Sequence, residues 1–245
     1  MIYVTSRAKK RILKNLKKYQ KIVQNAANED INESGTAMRV TGMLCDLFGY
    51  DKYSEMSTET AIRGTYCDIG ISLHKKLKLL IELKSAGLEL KDYHVKQAID
   101  YAANQGVDWV VLTNGSIWQV YKVSFTKPIN KELIFEINIL DVNYHNEKDL
   151  EMLFSLSKEG LERSVLDDLY SQSLATNKYI LGNLLFSDDV INALRREIRR
   201  NFTKVSVGND EIKGALYNSV IKREILEGED ADLARKKIKK KVKIN

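Results

Sequence analysis

Asp68, Glu82 and Lys84 are the residues whose types and spacing admit chemistry. They sit on or beside two segments that alternate apolar and polar side chains, the pattern of half-buried strands. Ile69, Ile71 and Leu73 share one face, so Asp68, Gly70 and Ser72 take the other. Leu79, Ile81 and Leu83 likewise leave Glu82 and Lys84 together on the opposite face. His74-Lys75-Lys76 joins the two segments as a hairpin turn would. A turn centred on Lys75 pairs Ile69 with Ile81 and Ile71 with Leu79, and sets Asp68 opposite Glu82. A one-residue slip would send one apolar set to the wrong face, so the pattern pins this register. Directly opposed Cβ atoms lie about 5 Å apart, and like charges there repel. A divalent cation such as Mg²⁺, which takes one or two carboxylates plus waters and substrate phosphates, would relieve that repulsion. A lysine beside it can orient or deprotonate a water, or neutralise charge on a phosphate. The same residues also read as a strand-end aspartate and a solvated Glu82–Lys84 ion pair, and spacing alone leaves both open.

After Gly87, Val95, Ala98, Ile99 and Ala102 supply an apolar stripe for a helix from Leu90 to about Gln105. Gln97 and Tyr101 stand at i and i+4 on it, one turn apart on one face. An Asp, a hairpin, Glu-x-Lys, then Gln-x-x-x-Tyr on the next helix resembles the PD-(D/E)XK nuclease superfamily. More narrowly, it resembles the nuclease domain at the N-terminus of the motor subunit of type I restriction enzymes. The turn Leu112-Thr113-Asn114-Gly115, the following Trp118-Gln119-Val120-Tyr121, and Glu33 on a helix ending at Leu47-Phe48-Gly49-Tyr50 are similar to the same group. The likeness covers roughly residues 30–125.

It implies Mg²⁺-dependent hydrolysis of a DNA phosphodiester, with Mn²⁺ as a substitute. Asp68 and Glu82 would hold the metal with a backbone carbonyl from Leu83, and Lys84 would serve the attacking water. Gln97 and Tyr101 would support the site or the DNA backbone. Glu33 matches the acidic residue that some members place on the preceding helix, with Glu29 and Glu59 as rivals. Cys67 stands where the superfamily name puts a proline.

The elements around this stretch are mostly legible. Ile12, Leu16, Tyr19, Val23 and Ala26 predict a helix from Ser6, its N-cap, to about Ala27, with lysines 9, 10, 14, 17, 18 and 21 coating the remainder. Such a helix is a phosphate-gripping arm, a solvated helix packed by its apolar stripe, or both at once, and its apolar face lacks the Trp or Phe that a membrane-surface helix favours. A second helix from about Ile31 to Phe48 buries Met38, Leu44 and Leu47 and stops at Gly49. Tyr50 to Ile62 leads along the sheet edge. Trp109 to Leu112 reads as a strand buried on both faces. Asn114-Gly115 is a hairpin turn. In the next strand Ile117, Gln119, Tyr121 and Val123 face one way, Trp118, Val120 and Lys122 the other, and its aromatics are packing residues. A last strand runs Leu133–Leu140. Beyond about Asn146, helices follow one another: Glu147–Ser157, Lys158–Ser173, Asp188–Thr203, Glu211–Leu226 and Asp230–Lys243. Arg195, Arg196, Arg199 and Arg200 load the end of the third, as helix chemistry favours, or as a DNA-binding ridge.

The expected fold is α/β: a restriction-endonuclease-like mixed sheet flanked by helices, followed by an all-helical C-terminal region. The expected domains are a basic amphipathic helix over 1–28, the nuclease-like domain over 29–145, and a helical domain with a basic tail over 146–245. The 245 residues carry a net charge of +6, but the ends supply it. Residues 1–25 hold eight Lys/Arg and no acid, and 231–245 hold seven against Asp232, leaving a net of −8 between. A core of that sign approaches DNA only if its ends or a local patch attract it. No apolar run is long enough to span a membrane and the start is polar and basic, which points to a cytoplasmic protein that engages no membrane. Cys45 and Cys67 form no zinc spacing with the three histidines, and are expected reduced and buried.

No P-loop or helicase motif is present, whereas type I restriction enzymes fuse the nuclease domain to a motor. The chain would then act on DNA alone, recruit a separate motor or other subunit as partner, or have lost the task. Cutting both strands needs two sites, which makes a homodimer attractive. The rival from another class is a non-catalytic module with a vestigial nuclease fold that binds nucleic acid or a partner. A structural adaptor would leave the alignment of Asp68, Glu82 and Lys84 unexplained.

Overall fold

Apolar residues at helical spacing build the first layer. α1 (Ser6–Asn28) buries Ala8, Ile12, Leu16, Tyr19, Val23 and Ala26, the expected stripe with Ala8 added. Its N-cap is Thr5 rather than Ser6, with the Thr5 hydroxyl accepting from the Ala8 N–H at 3.3 Å. α2 (Glu33–Asp46) is capped by the Asn32 side chain and buries Thr36, Val40, Met43 and Leu44. Met38, expected inside, is 71% exposed. At 100° per residue it lies about 200° from both Thr36 and Val40, on the solvent side of the buried stripe. Gly49, with φ of +85°, takes the left-handed turn that ends this helix.

The computed structural model describes residues 2–58, 67–125 and 128–242, with side chains described as far as Lys239. The strands are β1 (Met56–Thr58), β2 (Ile69–Leu73), β3 (Lys76–Leu83), β4 (Trp109–Thr113), β5 (Ile117–Ser124) and β6 (Asn130–Asn138). They form one mixed sheet in the order β1-β2-β3-β4-β5-β6. β3 and β4 are parallel, and the other neighbours are antiparallel. The parallel pair needs a crossover, which a 3₁₀ turn (Asp92–Val95) and α3 (Lys96–Gln105) supply. β1 is the sheet edge expected between Tyr50 and Ile62; residues 59–62 of that stretch lie outside the described residues. β6 begins and ends earlier than Leu133–Leu140.

The β2–β3 register is the one the apolar pattern demands: Ile69 pairs with Ile81 and Ile71 with Leu79. The turn is tighter than the three residues expected. His74 and Lys75 both have positive φ, 51° and 63°, and pair Leu73 with Lys76 as a two-residue turn. That turn alone would put the strands one residue out. A bulge between Ile71 and Ser72, with Lys78 the extra residue on β3, restores the register.

Both faces of the sheet are covered. Ile69, Ile71, Leu79, Ile81, Leu83, Val111, Trp118 and Val120 pack under α1 and α2. Leu80, Val110, Leu112, Tyr121 and Val123 pack under α3 through Val95, Ala98, Ile99, Tyr101 and Ala102. Each such side chain contributes roughly 1.5–3 kcal/mol on burial, which makes the sheet a rigid platform. Trp118 and Tyr121 are packing residues as expected, 1% and 4% exposed. Of the two free cysteines Cys67 is buried, but Cys45 is only half-buried.

The chain divides into two compact units, Met1–Tyr170 and Ser171–Asn245. The first also holds α4 (Glu147–Ser155) and α5 (Lys158–Glu162), and α6 (Val165–Ala175) begins within it. The expected helix Lys158–Ser173 is broken because Ser164 adopts a left-handed conformation, φ +57°. The second unit holds the end of α6, then α7 (Lys178–Leu184), where no helix was expected, α8 (Asp188–Asn201), α9 (Asn209–Ala215), α10 (Arg223–Leu226) and α11 (Glu229–Val242). A π-helical segment, Leu216–Val220, separates α9 from α10 where one helix was expected. Among the described residues no helix is long and apolar enough to cross a membrane.

Candidate active site

Asp68 lies one residue before β2, where the two strands part. Its Oδ2 accepts the Leu83 N–H at 2.6 Å, so the side chain continues the ladder that the backbone leaves. A charge-assisted bond of that length fixes the carboxylate beside the next residue back, Glu82. Glu82 sits on β3 opposite Leu112 of β4 and is 7% exposed. Lys84 follows β3 directly, and its N–H donates to the Thr113 carbonyl at 2.9 Å. Its Nζ lies 2.8 Å from Glu82 Oε1 and 3.6 Å from Glu33 Oε2.

Glu33 is the first residue of α2, and two hydrogen bonds bring it here. The Ala86 N–H donates to the Ile31 carbonyl at 2.9 Å, tying the exit from β3 to the start of α2. Asn114 Nδ2 donates to the Leu88 carbonyl at 3.0 Å, pinning the same loop from the β4–β5 turn. Asn114, expected only as a turn residue, also accepts through its side chain from the Ser116 and Ile117 N–H groups. The turn signal was visible, but the long-range bond had no local pattern.

Two carboxylates thus pair with one ammonium, and the charge of a third, Asp68, also acts on it. Burial pushes the Glu82 carboxyl above its ordinary pKa; the Lys84 bond opposes that push, while Asp68 and Glu33 reinforce it. Burial alone would lower Lys84, but the hydrogen bond to Glu82 and the charges of Glu82, Glu33 and Asp68 outweigh it, so the ammonium is held more firmly than usual. The surplus of negative charge is what a divalent cation would neutralise, which makes the donor set of Asp68 and Glu82 fit Mg²⁺. Among the described residues no three His, Cys, Asp or Glu side chains form a metal cage. Mg²⁺ ordinarily keeps waters and borrows substrate phosphates instead of using such a cage.

Of the expected site residues, Asp68, Glu82, Lys84 and Glu33 come together, and Leu83 contributes its N–H to Asp68. Gln97 and Tyr101 lie on α3: Gln97 is exposed near its start, and Tyr101 is fully buried with no hydrogen-bond partner for its hydroxyl among the described residues. Cys67 connects the two regions. Burial and then the Glu82 charge push its thiol up to about 12, and the same cysteine reinforces the burial that raises the Tyr101 hydroxyl. Its Sγ lies 3.2 Å from the Ile81 carbonyl. Glu29 is exposed at the C-cap of α1, and Glu59 lies outside the described residues.

Residues 39–137 match the family model of the type I restriction enzyme R protein N terminus. The matched stretch runs from within α2 to β6 and contains Asp68, Glu82, Lys84, Gln97 and Tyr101, but not Glu33, α1 or the second unit. No curated protein and no solved structure matched the chain. The match agrees with the narrower resemblance, to the N-terminal domain of the type I restriction motor subunit, and supports a restriction-enzyme-like role for this part of the chain.

Proposed function

We propose that this protein is a Mg²⁺-dependent DNA endonuclease of the PD-(D/E)XK type. The observation that carries it is the pairing of Glu82 and Glu33 with the single ammonium of Lys84, beside an Asp68 carboxylate held by the Leu83 N–H, with Asp68, Glu82 and Lys84 inside the stretch that resembles a restriction-enzyme domain. Bound at Asp68 and Glu82, Mg²⁺ would supply Lewis-acid polarisation of the phosphate and an acidified water. The chain's own residues do the positioning. Asp68 is fixed by the Leu83 N–H, and Glu82 is held in the sheet by β4. Lys84 is held as an ammonium, so it acts as a cation and hydrogen-bond donor toward the attacking water and the phosphate. Glu33, about half exposed at the rim, gives Lys84 a second partner when Glu82 turns to a metal. DNA is the substrate, and a separate motor subunit or a second copy of the chain is the partner that double-strand cutting would recruit.

The test is cleavage of plasmid DNA in Mg²⁺ or Mn²⁺ by the parent, Asp68→Asn and Lys84→Ala. Removing a group that stabilises transition-state charge costs on the order of 10²–10³ in rate. Both variants should fall by that much while keeping the parental fold by circular dichroism. Equal rates for the parent and both variants would end the nuclease assignment.

A further inference from the structure

α1 carries a second feature that the candidate site does not use. Arg7, Lys10, Lys14, Lys17 and Lys21 recur at steps of three and four residues, so they lie along one continuous stripe. All five are exposed. The opposite stripe of the same helix, Ile12, Leu16, Tyr19 and Val23, is buried against the sheet layer, so the basic side is fixed outward. Neighbouring cations of α1 are used structurally. Arg11 binds Glu159 and the Leu47 and Phe48 carbonyls, and Lys18 binds Asp46. Among the described residues no ion pair is formed by the five cations of the stripe; Lys17 alone has an aromatic neighbour, the Tyr144 ring at 5.9 Å.

We infer that this stripe is a docking surface for the phosphate backbone of duplex DNA, feeding the Asp68–Glu82 site; this rests on the nuclease reading for the identity of the polyanion. From Arg7 to Lys21 the helix rises about 21 Å, the length of roughly six base-pair steps. No acid interrupts residues 1–25, whereas the chain between the two basic ends carries a net of −8 and would repel DNA. The stripe also runs toward the site. α1 ends at Asn28, and Ile31, three residues on, takes the Ala86 N–H just beyond Lys84. The apolar side of α1 is already occupied by the core and its outer side lacks a large aromatic, which favours a nucleic acid over a lipid surface.

The experiment is binding of a fluorescent 20-base-pair duplex by the full chain in EDTA, titrated from 50 to 200 mM salt. The parent is compared with a variant in which all five residues become Gln, a good helix former that keeps side-chain length. Each phosphate contact contributes about −0.9 to the slope of log K against log salt. The variant's slope should be shallower by about 3–4.5, and its affinity at 50 mM lower by at least tenfold. An unchanged slope would overturn the inference, as would an equal loss in Arg195/Arg196/Arg199→Gln or a loss seen only with anionic vesicles. If the fivefold variant does not fold, the pairs Lys10/Lys14→Gln and Lys17/Lys21→Gln should each lower the slope by about 1.8. Because EDTA excludes cleavage, an unmoved slope in an enzyme that cuts DNA defeats the stripe alone. A lowered slope in a protein that never cuts keeps the stripe and defeats the nuclease reading.

Discussion

Two half-buried lysines on one sheet, Lys84 and Lys122, each bridge two carboxylates, yet their surroundings differ in kind. Lys122 of β5 is 13% exposed, 2.9 Å from Asp167 and 3.1 Å from Asp108. Its ammonium also stands 4.6 Å from the Trp109 ring centre and 5.8 Å from that of Tyr170. Both of its carboxylates are half exposed, so water stabilises them as well. Its groups are satisfied, and the cluster clamps the start of α6 to the sheet. Lys84 is 17% exposed, but Glu82 beside it is almost wholly buried, and Asp68 and Glu33 add charge that one ammonium does not balance. The lesson is that an ion-paired lysine is structural where water also stabilises its carboxylates, and marks a candidate site where a carboxylate beside it is desolvated and further negative charge is close.

Removing each lysine should therefore affect different properties. Lys84→Met is expected to reduce Mg²⁺-dependent DNA cleavage by about 10²–10³, whereas Lys122→Met should leave the rate within about threefold. Similar losses from both, measured at equal folded fraction, would break the distinction. The smaller, opposite effect is on stability. Lys122→Met loses a partly desolvated cation–π contact and two ion pairs, about 2 kcal/mol. The first unit should then melt about 4–8 °C lower by calorimetry. A Lys122→Met protein as stable as the parent would show that the cluster clamps nothing.

The Lys84 side of this contrast was readable in the sequence and the Lys122 side was not. Alternation fixed the faces of β2 and β3, hence the common face of Asp68, Glu82 and Lys84, because a register slip would expose a whole apolar set. The same alternation put Lys122 on the face of Trp118 and Val120, a lysine among core residues. Its partners come from the start of β4 and from α6, however, and no local pattern joins those positions. The bulge at Lys78 was hidden for a related reason: a two-residue turn and a bulge together give the same outer pairs as a three-residue turn. Met38 was misassigned because an apolar residue within a helix says nothing about its face until the stripe is chosen. The breaks at Ser164 and across Leu216–Val220 carry no glycine or proline to announce them.

The smallest expected effect tests the imbalance itself. Glu82 has its carboxyl raised in the folded protein, so the native state holds that proton more tightly than the unfolded chain does. Its contribution to stability is then fully present below the ordinary carboxylate value, about 4.3, and is lost as pH rises through the raised folded value. Glu82→Gln cannot lose it. In metal-free buffer the variant should melt at nearly the parental temperature at pH 4 and gain on the parent as pH rises toward 7. Millimolar Mg²⁺ should narrow or reverse that difference, because a ligand that binds only the native parent raises its stability and the variant has lost half of the carboxylate pair. A parent that remains as stable as Glu82→Gln from pH 4 to pH 7, with and without Mg²⁺, would mean that Lys84 alone balances the cluster. The two lysines would then be electrostatically alike.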